Sequence, residues 1–200
     1  MENEFVEDEY IKEEVIVNIV WVNIFGIIIL AIAIAVFGIP FFMIWHEQYS
    51  ISIGINTAMS LQERIKNLAI AFSILIPGIT AHELIHGIVY AIFAKNKWKS
   101  VKFGIMPAKK LFTPYCCCKE RLKINHYRIA AIMPLIILGI IPATISIVLG
   151  NYFLLLWGII FTVGGCGDIL IFIKTLKEKK GSWILDHPTE AGYYVYKKIH

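Results

Sequence analysis

The pentapeptide His82-Glu83-Leu84-Ile85-His86 is the part of the chain whose residue types and spacing predict chemistry. Residues four apart lie on one face of a helix, so His82 and His86 can bind one metal ion together. Glu83 would face the same ion and act as a general base for water, not as a ligand. This H-E-x-x-H pattern is typical of zinc proteases, and its chance occurrence in such a chain has a probability on the order of one in a hundred. The pattern therefore predicts zinc-dependent hydrolysis of peptide bonds.

The pattern lies inside an apolar stretch from Leu68 to Ala94, which predicts that the chemistry takes place within a membrane. An ionised carboxylate at the centre of a membrane helix costs about 2.5–3.5 kcal/mol on insertion scales, so such groups usually face a bundle interior and serve a function. The alternative interpretation is a polar cluster that only holds helices together. Pro77 and Gly78 permit a bend one turn earlier, and Gly87 permits another helix or a substrate to approach closely.

A catalytic zinc site needs a third protein ligand and an open position for water, and Asp168 is the candidate. It is the only acidic residue within the later apolar stretches, and it ends the glycine-rich segment Gly164–Asp168. His86 precedes Lys95 by nine residues and Asp168 precedes Lys174 by six. These separations correspond to roughly 13 and 9 Å of helix, so the two side chains can lie at one depth. The glycines would let this helix loosen and pack tightly, which would bring the carboxylate to the metal. The alternative is a helix-terminal or snorkelling Asp168.

Other cysteines and histidines are rival ligands or free groups. Cys166 is a competent ligand, although a small thiol in a glycine-rich helix is more often a packing residue. His46 is expected on the far side of the membrane, and His126 and His187 on the cytoplasmic side, where either could fold back to the site or be an ordinary solvated histidine. Cys116–Cys118 are adjacent residues that cannot easily pair with one another, so we interpret them as free thiols.

Composition predicts an all-α integral membrane protein with about four transmembrane helices. The chain is 58% hydrophobic and 17% charged, with a mean hydropathy of +0.67. Stretches near the ~20 apolar residues that cross a bilayer are Val17 to Trp45, Leu68 to Ala94, Ile129 to Leu149 and Phe153 to Ile173. Gly38-Ile39-Pro40 predicts a kink or an earlier exit from the first of these. We interpret residues 1–200 as one membrane-embedded domain.

The positions of the basic residues predict the orientation. The N-terminus, the loop from Lys95 to Arg128 and the segment from Lys174 onward carry one, ten and six Lys or Arg residues, whereas the other side carries Arg64 and Lys66. Basic loops stay cytoplasmic, which predicts a multi-pass cell-membrane protein with an acidic cytoplasmic N-terminus (1–16) and a cytoplasmic tail (174–200). The N-terminal flank lacks the positive region of a cleaved signal peptide, so the first span is retained. The net charge of +4 follows from this topology, and no nucleic-acid-binding signature occurs.

Two connecting segments have their own pattern. Asn56 to Asn67 has roughly helical spacing and fits either a short interfacial helix or a solvated connector. The loop from Trp98 to Asn125 contains strand-like and turn-like runs that predict short β-strands. Such strands could pair with an extended substrate, or the segment could be an ordinary loop.

The chain resembles intramembrane metalloproteases of the site-2 protease type, which carry H-E-x-x-H on one span and an aspartate ligand on a later one. It is more closely similar to an uncharacterised family of bacterial and archaeal membrane zincins, themselves distantly similar to site-2 proteases. The stretches that carry this similarity are His82 to Gly87, Thr113 to Arg128, Pro134 to Pro142, Gly165 to Ile169 and Asp186 to Gly192. The resemblance implies His82, His86 and Asp168 as zinc ligands and Glu83 as the catalytic base. Gly167-Asp168-Ile169 departs from the N-P-x-P-x-D-G setting that is usual in site-2 proteases.

Two other classes of function use similar residues. Di-iron carboxylate proteins contain E-x-x-H, but they need a second copy of it, which this sequence lacks. A membrane metal sensor, transporter or scaffold would use the same ligands without a productive base. The main hypothesis is a peptidase with membrane lipid and a polypeptide substrate as partners, a membrane-spanning protein being one candidate substrate. Its oligomeric state is left open.

Overall fold

A computed structural model describes residues 9–50, 60–108 and 111–199 of the chain. Seven α-helices and six β-strands occur in this part. The helices are α1 Ile19–Ala33, α2 Ile39–Ser50, α3 Leu61–Phe93, α4 Ile124–Pro134, α5 Ile141–Leu149, α6 Tyr152–Gly164 and α7 Cys166–Leu176. The strands are β1 Tyr10–Ile16, β2 Val101–Ala108, β3 Leu111–Cys118, β4 Leu122–Lys123, β5 Trp183–Asp186 and β6 Gly192–Lys198.

The predicted apolar spans correspond closely to the observed helices. Three segments are long and apolar enough to cross a membrane: Ile19–Gln48, Phe72–Phe93 and Ile124–Leu149. The fourth predicted span is instead a bent pair, α6 and α7, which counts as one further span only if both halves are taken together. The predicted connector from Asn56 to Asn67 lies in part outside the described residues, and its last seven residues begin α3.

Two π-helical segments accommodate prolines in the long helices. Ile34–Gly38 precedes Pro40, and Leu135–Ile140 precedes Pro142. Proline has no N–H to donate to the carbonyl four residues earlier, and a π-helical turn shifts the bonding by one residue. The Ile39 N–H accordingly donates to the Ile34 carbonyl, five residues back. Of the two alternatives predicted at Gly38–Pro40, the earlier exit is wrong, because helical structure continues through these residues to Ser50, whereas the kink stays a prediction.

The strands form two antiparallel sheets. β2 and β3 pair as a hairpin, which confirms the strands predicted between Trp98 and Asn125. The other sheet has the order β1-β6-β5-β4, with Tyr10 opposite Lys198 and Ile16 opposite Gly192. β4 lies within the segment for which strands were predicted, whereas β1, β5 and β6 come from the N-terminal and C-terminal segments, for which the sequence analysis predicted no secondary structure. The strand prediction was therefore incomplete.

The chain divides into two compact units. The first unit comprises Met1–Phe25, Glu83–Pro134 and Gly165–His200, and the second comprises Gly26–His82 and Leu135–Gly164. The core of the first unit joins residues from helices and both sheets: Val89, Tyr90, Ala94, Cys118, Leu122, Ile124, Tyr127, Ala130, Ile184, Tyr193 and Val195.

Helix contacts between α5 and α6, and between each of these and the π-helical segments, build the second unit. Gly150 caps the C-terminus of α5, and its φ of 63° is a left-handed conformation that glycine adopts without strain. The Trp45 ring lies where a side chain on Gly150 would be, and its Nε1 donates to the Ile147 carbonyl at 2.9 Å. Trp45 thus covers the end of α5 and satisfies one of its free carbonyls.

Candidate metal centre

Helix α3 carries the H-E-x-x-H residues, as the spacing predicts. It runs unbroken over 33 residues from Leu61 to Phe93, with Pro77 inside it. His82 and Glu83 are half-buried and His86 is buried. Because the helix is continuous through the motif, His82 and His86 are one turn apart on one face.

The structure brings His82, His86 and Asp168 together. In the part of the chain that the structure describes, these three residues form the one potential metal-binding group. One ligand atom from each residue lies within 4.8 Å of the other two. His86 Nε2 is 3.5 Å from Asp168 Oδ2. Two tetrahedral zinc ligands about 2.1 Å from the ion would be about 3.4 Å apart, so this separation fits a shared zinc ion. The donor set of two imidazoles and one carboxylate also fits zinc.

A backbone hydrogen bond orients the His86 ring. His86 Nδ1 is 2.8 Å from the carbonyl oxygen of Ala130 on α4. A carbonyl only accepts, so Nδ1 carries the hydrogen and Nε2 is the nitrogen that has a lone pair for a metal. His86 is 6% exposed, so its neighbours restrict the ring further. The ring is thereby held with Nε2 toward Asp168.

Asp168 reaches the group from the first turn of α7, directly after a break in the helix. α6 ends at Gly164 and α7 begins at Cys166, so the predicted loosening of this glycine-rich helix occurs at Gly165. The predicted tight packing at Gly164 and Gly167 is wrong, because a Cβ added at either position meets nothing within 4 Å. At these two positions glycine creates no close contact.

Gly87, the residue after the motif, permits the predicted close approach, and the neighbour is a strand. A Cβ at Gly87 would lie 2.5 Å from the Phe103 ring of β2. The hairpin that follows α3 therefore packs directly beside the H-E-x-x-H turn.

The rival ligands lie outside this group, and two of them have other partners. The His126 ring stacks on Phe93, with ring centroids 4.1 Å apart. His187 Nε2 is 2.7 Å from Glu14 Oε1, across the end of the larger sheet. Within the described residues, the three-ligand group includes none of the rivals: Cys166, His46, His126 and His187.

The three adjacent cysteines are free thiols, as predicted. Burial, together with the negative charges of Glu83 and Asp186, raises the pKa of the Cys116 thiol well above its usual range. Burial likewise raises the pKa of Cys118, to about 12. Cys116 thus lies near enough to the motif for the Glu83 charge to act on it.

The sequence analysis missed the polar residues that surround the site. Tyr90, Tyr127 and Asp186 form a hydrogen-bonded group in the core of the first unit. Neither tyrosine belongs to a sequence motif. Asp186 was named only as one end of a stretch that carries the family resemblance. Tyr90 is four residues after His86 and therefore lies on the same helix face. This spacing was the one feature of the sequence that could have predicted Tyr90 near the site.

Comparison with known proteins supports the zinc assignment. A family model described as "Putative zincin peptidase" matches residues 75–183, which is more than half of the chain. That range contains the H-E-x-x-H pattern and Asp168. No curated protein and no solved structure matches the chain. The chain belongs to this family.

Proposed function

We propose that this protein is a membrane-embedded zinc peptidase of the site-2 protease type. In this proposal His82, His86 and Asp168 hold the zinc ion, and Glu83 is the general base. The observation that carries it is the convergence of two H-E-x-x-H imidazoles and one distant carboxylate within 4.8 Å. Membership of the zincin peptidase family supports the same chemistry.

The ligand set fits a catalytic centre better than a purely structural one. Structural zinc sites usually have four protein ligands, whereas three protein ligands leave a position for water or substrate. When bound, zinc supplies a water of pKa near ~7 and polarises the scissile carbonyl. The side chains of this chain must then provide the proton transfers.

In this proposal Glu83 carries those protons. It follows His82 directly and precedes His86 by three residues, so it lies on the same helical turn as these two proposed ligands. Glu83 accepts the proton of the attacking water and passes it to the leaving amine, which is the role of a general base that becomes a general acid. A helical substrate would have to unwind first, because helical hydrogen bonds shield its carbonyls.

The β2–β3 hairpin supports an extended substrate. Among the residues that the structure describes, this sheet has two strands, so each pairs with the other along one side only, and it packs on Gly87 beside the motif. An extended peptide that added to an edge of this sheet would lie next to the metal ligands.

The apolar surface supports insertion in the cell membrane. Side chains such as Ile27 and Val148 are more than 70% exposed on helices that are long enough to cross a bilayer. Lipid would cover them, and the excess of Lys and Arg in the loop after α3 and in the C-terminal segment favours cytoplasmic termini. The expected partners are therefore membrane lipid and a polypeptide, not nucleic acid.

Glu83→Gln tests the proposal, with Glu47→Gln, an exposed carboxylate on α2, as the matched control. Membranes carrying each protein are incubated and their new N-terminal peptides are counted by mass spectrometry, while zinc is measured in the purified proteins. We expect one zinc per chain in all three proteins. Cleavage should fall by about 10²–10⁴-fold in Glu83→Gln alone, because general base catalysis is lost.

Each other result contradicts part of the proposal. Wild-type protein without zinc would contradict the metal centre. Cleavage by Glu83→Gln at the wild-type rate would contradict the assigned base. Zinc binding with no new N-terminal peptides from the wild type would favour a sensor, transporter or scaffold over a peptidase.

A further inference from the structure

Asp186, at the end of β5, accepts hydrogen bonds from three other elements of the first unit. The Tyr127 hydroxyl on α4 donates to Asp186 Oδ1 at 2.7 Å, and the Cys118 backbone N–H on β3 donates to Oδ2 at 2.6 Å. Tyr90 on α3 also hydrogen-bonds this carboxylate. Burial raises the pKa of the Asp186 carboxyl above its ordinary value, although these hydrogen bonds oppose that shift. One side chain thus joins two helices and two strands.

Both tyrosines lead from Asp186 to His86. Tyr90 is one turn after His86 on α3, and the two rings are nearly parallel, with centroids 6.3 Å apart and planes 21° apart. Tyr127 is three residues before Ala130 on α4, so the two lie on one face of that helix. The Ala130 carbonyl is the acceptor that orients His86. The carboxylate therefore fixes both the helix that carries His86 and the helix that carries its hydrogen-bond partner.

The orientation of His86 depends on α4 because the partner is a backbone atom. A substitution of the side chain at position 130 does not remove this backbone carbonyl. The position of the carbonyl follows from the placement of α4. Ala130 is fully buried, so small shifts of α4 move the carbonyl relative to the imidazole. Outer partners of a ligating histidine typically change metal affinity by about 10–100-fold when they are lost.

We propose that Asp186 is a positioning residue of the metal centre: through Tyr127 and Tyr90 it holds the Ala130 carbonyl and His86 in the geometry that directs Nε2 at the metal. This inference rests on the proposed zinc centre and adds a residue that does not touch the metal. Asp186 acts through His86, not through His82, because its contacts lead to the His86 turn and to α4.

Tyr127→Phe and Asp186→Asn test the inference, with Tyr193→Phe as the matched control. Tyr127→Phe removes only the hydroxyl, and Asp186→Asn replaces one acceptor oxygen by a donor. Tyr193 is buried in the same core, its ring centroid is 5.9 Å from that of Tyr127, and among the described residues its hydroxyl has no hydrogen-bond partner. Zinc affinity is measured by chelator competition in detergent micelles, with circular dichroism to verify folding. We expect about 10–100-fold weaker zinc binding for the two test variants and less than about twofold change for the control.

A double-mutant cycle separates positioning from general loss of stability. If Tyr127 acts through His86, Tyr127→Phe should weaken zinc binding in a His82→Ala background but have no further effect in a His86→Ala background. A purely structural role would weaken binding equally in both. Tyr127→Phe also keeps the test valid if Asp186→Asn does not fold.

The outcomes distinguish this inference from the proposed function. Wild-type zinc affinity in folded Tyr127→Phe and Asp186→Asn, or equal effects in the two histidine backgrounds, would overturn the positioning role and leave the peptidase proposal intact. Zinc binding without peptide cleavage by the wild type would contradict the peptidase alone. Absence of zinc from the wild type would overturn both.

Discussion

The first and second units are stabilised by different kinds of contact. In the first unit, buried hydrogen bonds join sheets and helices, with Asp186 accepting from Tyr127 and from the Cys118 backbone. In the second unit, apolar helices meet at small residues. A Cβ on Gly158 would be 2.6 Å from the Ala143 backbone nitrogen, and a Cβ on Gly139 would be 2.6 Å from Thr162 Oγ1. Helices in lipid associate largely through such close packing, because lipid is as apolar as their side chains.

This difference bears on His86, a proposed metal ligand that belongs to the first unit. A hydrogen bond fixes the direction of a side chain, as the Ala130 carbonyl does for His86, whereas a glycine contact fixes only the distance between two helices. A metal ligand needs direction as well as distance. We therefore expect substitutions of the hydrogen-bonded residues around His86 to act mainly on metal affinity, and substitutions at the small residues of the second unit to act mainly on stability.

His86→Ala should have the largest effect and tests the first half of this comparison. It removes one of three proposed ligands, so zinc affinity should fall by more than about 100-fold, beyond the loss expected from an outer-shell change. It also leaves the Ala130 carbonyl without its partner, which costs about 1–3 kcal/mol of unfolding free energy. Chelator competition and thermal unfolding in micelles measure the two effects.

His46→Ala is the control for this experiment, because His46 is an exposed histidine of the second unit outside the ligand group. Its zinc affinity should equal that of the wild type. Equal losses in the two variants would mean that the histidines bind zinc without a defined site.

Gly158→Ala should have the next largest effect and tests the second half. The added Cβ would lie 2.6 Å from backbone and side-chain atoms of Ala143, so α5 and α6 must separate. Overpacking of this kind costs about 1–3 kcal/mol, which unfolding in mixed detergent micelles would measure. Zinc affinity of the folded protein should stay within about threefold, because the change leaves the ligands and their hydrogen bonds in place.

A glycine-to-alanine substitution six residues later in α6 is the control for Gly158→Ala. Gly164→Ala adds a Cβ on the same helix, where nothing lies within 4 Å, and should change the unfolding free energy by about 0.5 kcal/mol or less. Similar losses at both positions would show that glycine matters in α6 for its backbone and not for helix contact.

The sequence was sufficient for features that are local in the chain. The H-E-x-x-H helix follows from a four-residue spacing, and the apolar spans follow from runs of about 20 residues. Asp168 was identified because an acidic residue in an apolar stretch is costly unless it has a partner. The structure brings its carboxylate near His82 and His86, and its role as a zinc ligand stays a prediction.

The parts that were missed depend on contacts between distant residues. β1 and β6 come from opposite ends of the chain, and each is too short and too charged to show a clear period. The pairing of Tyr10 with Lys198 depends on the register between two strands that are far apart in the chain. No short stretch of sequence contains that information. The acceptor for His86 is a backbone carbonyl, and every residue has one, so Ala130 could not be distinguished by its type.

The reactivity of the cysteine thiols tests whether solvent reaches the core of the first unit, and this is the smallest effect that we expect. Burial raises the pKa of Cys118 from an ordinary 9.0 to about 12. The pKa of Cys118 is higher in the folded protein than in the unfolded chain. Its contribution to the stability of the fold is therefore fully present below pH 9 and is lost as the pH rises toward 12. The thiolate is the reactive form, so Cys118 should resist N-ethylmaleimide at pH 7 and at pH 9 in the folded protein and react readily after unfolding. Mass spectrometry of the labelled peptides measures this, and rapid labelling of folded protein at pH 7 would mean that the core around Asp186 opens to solvent.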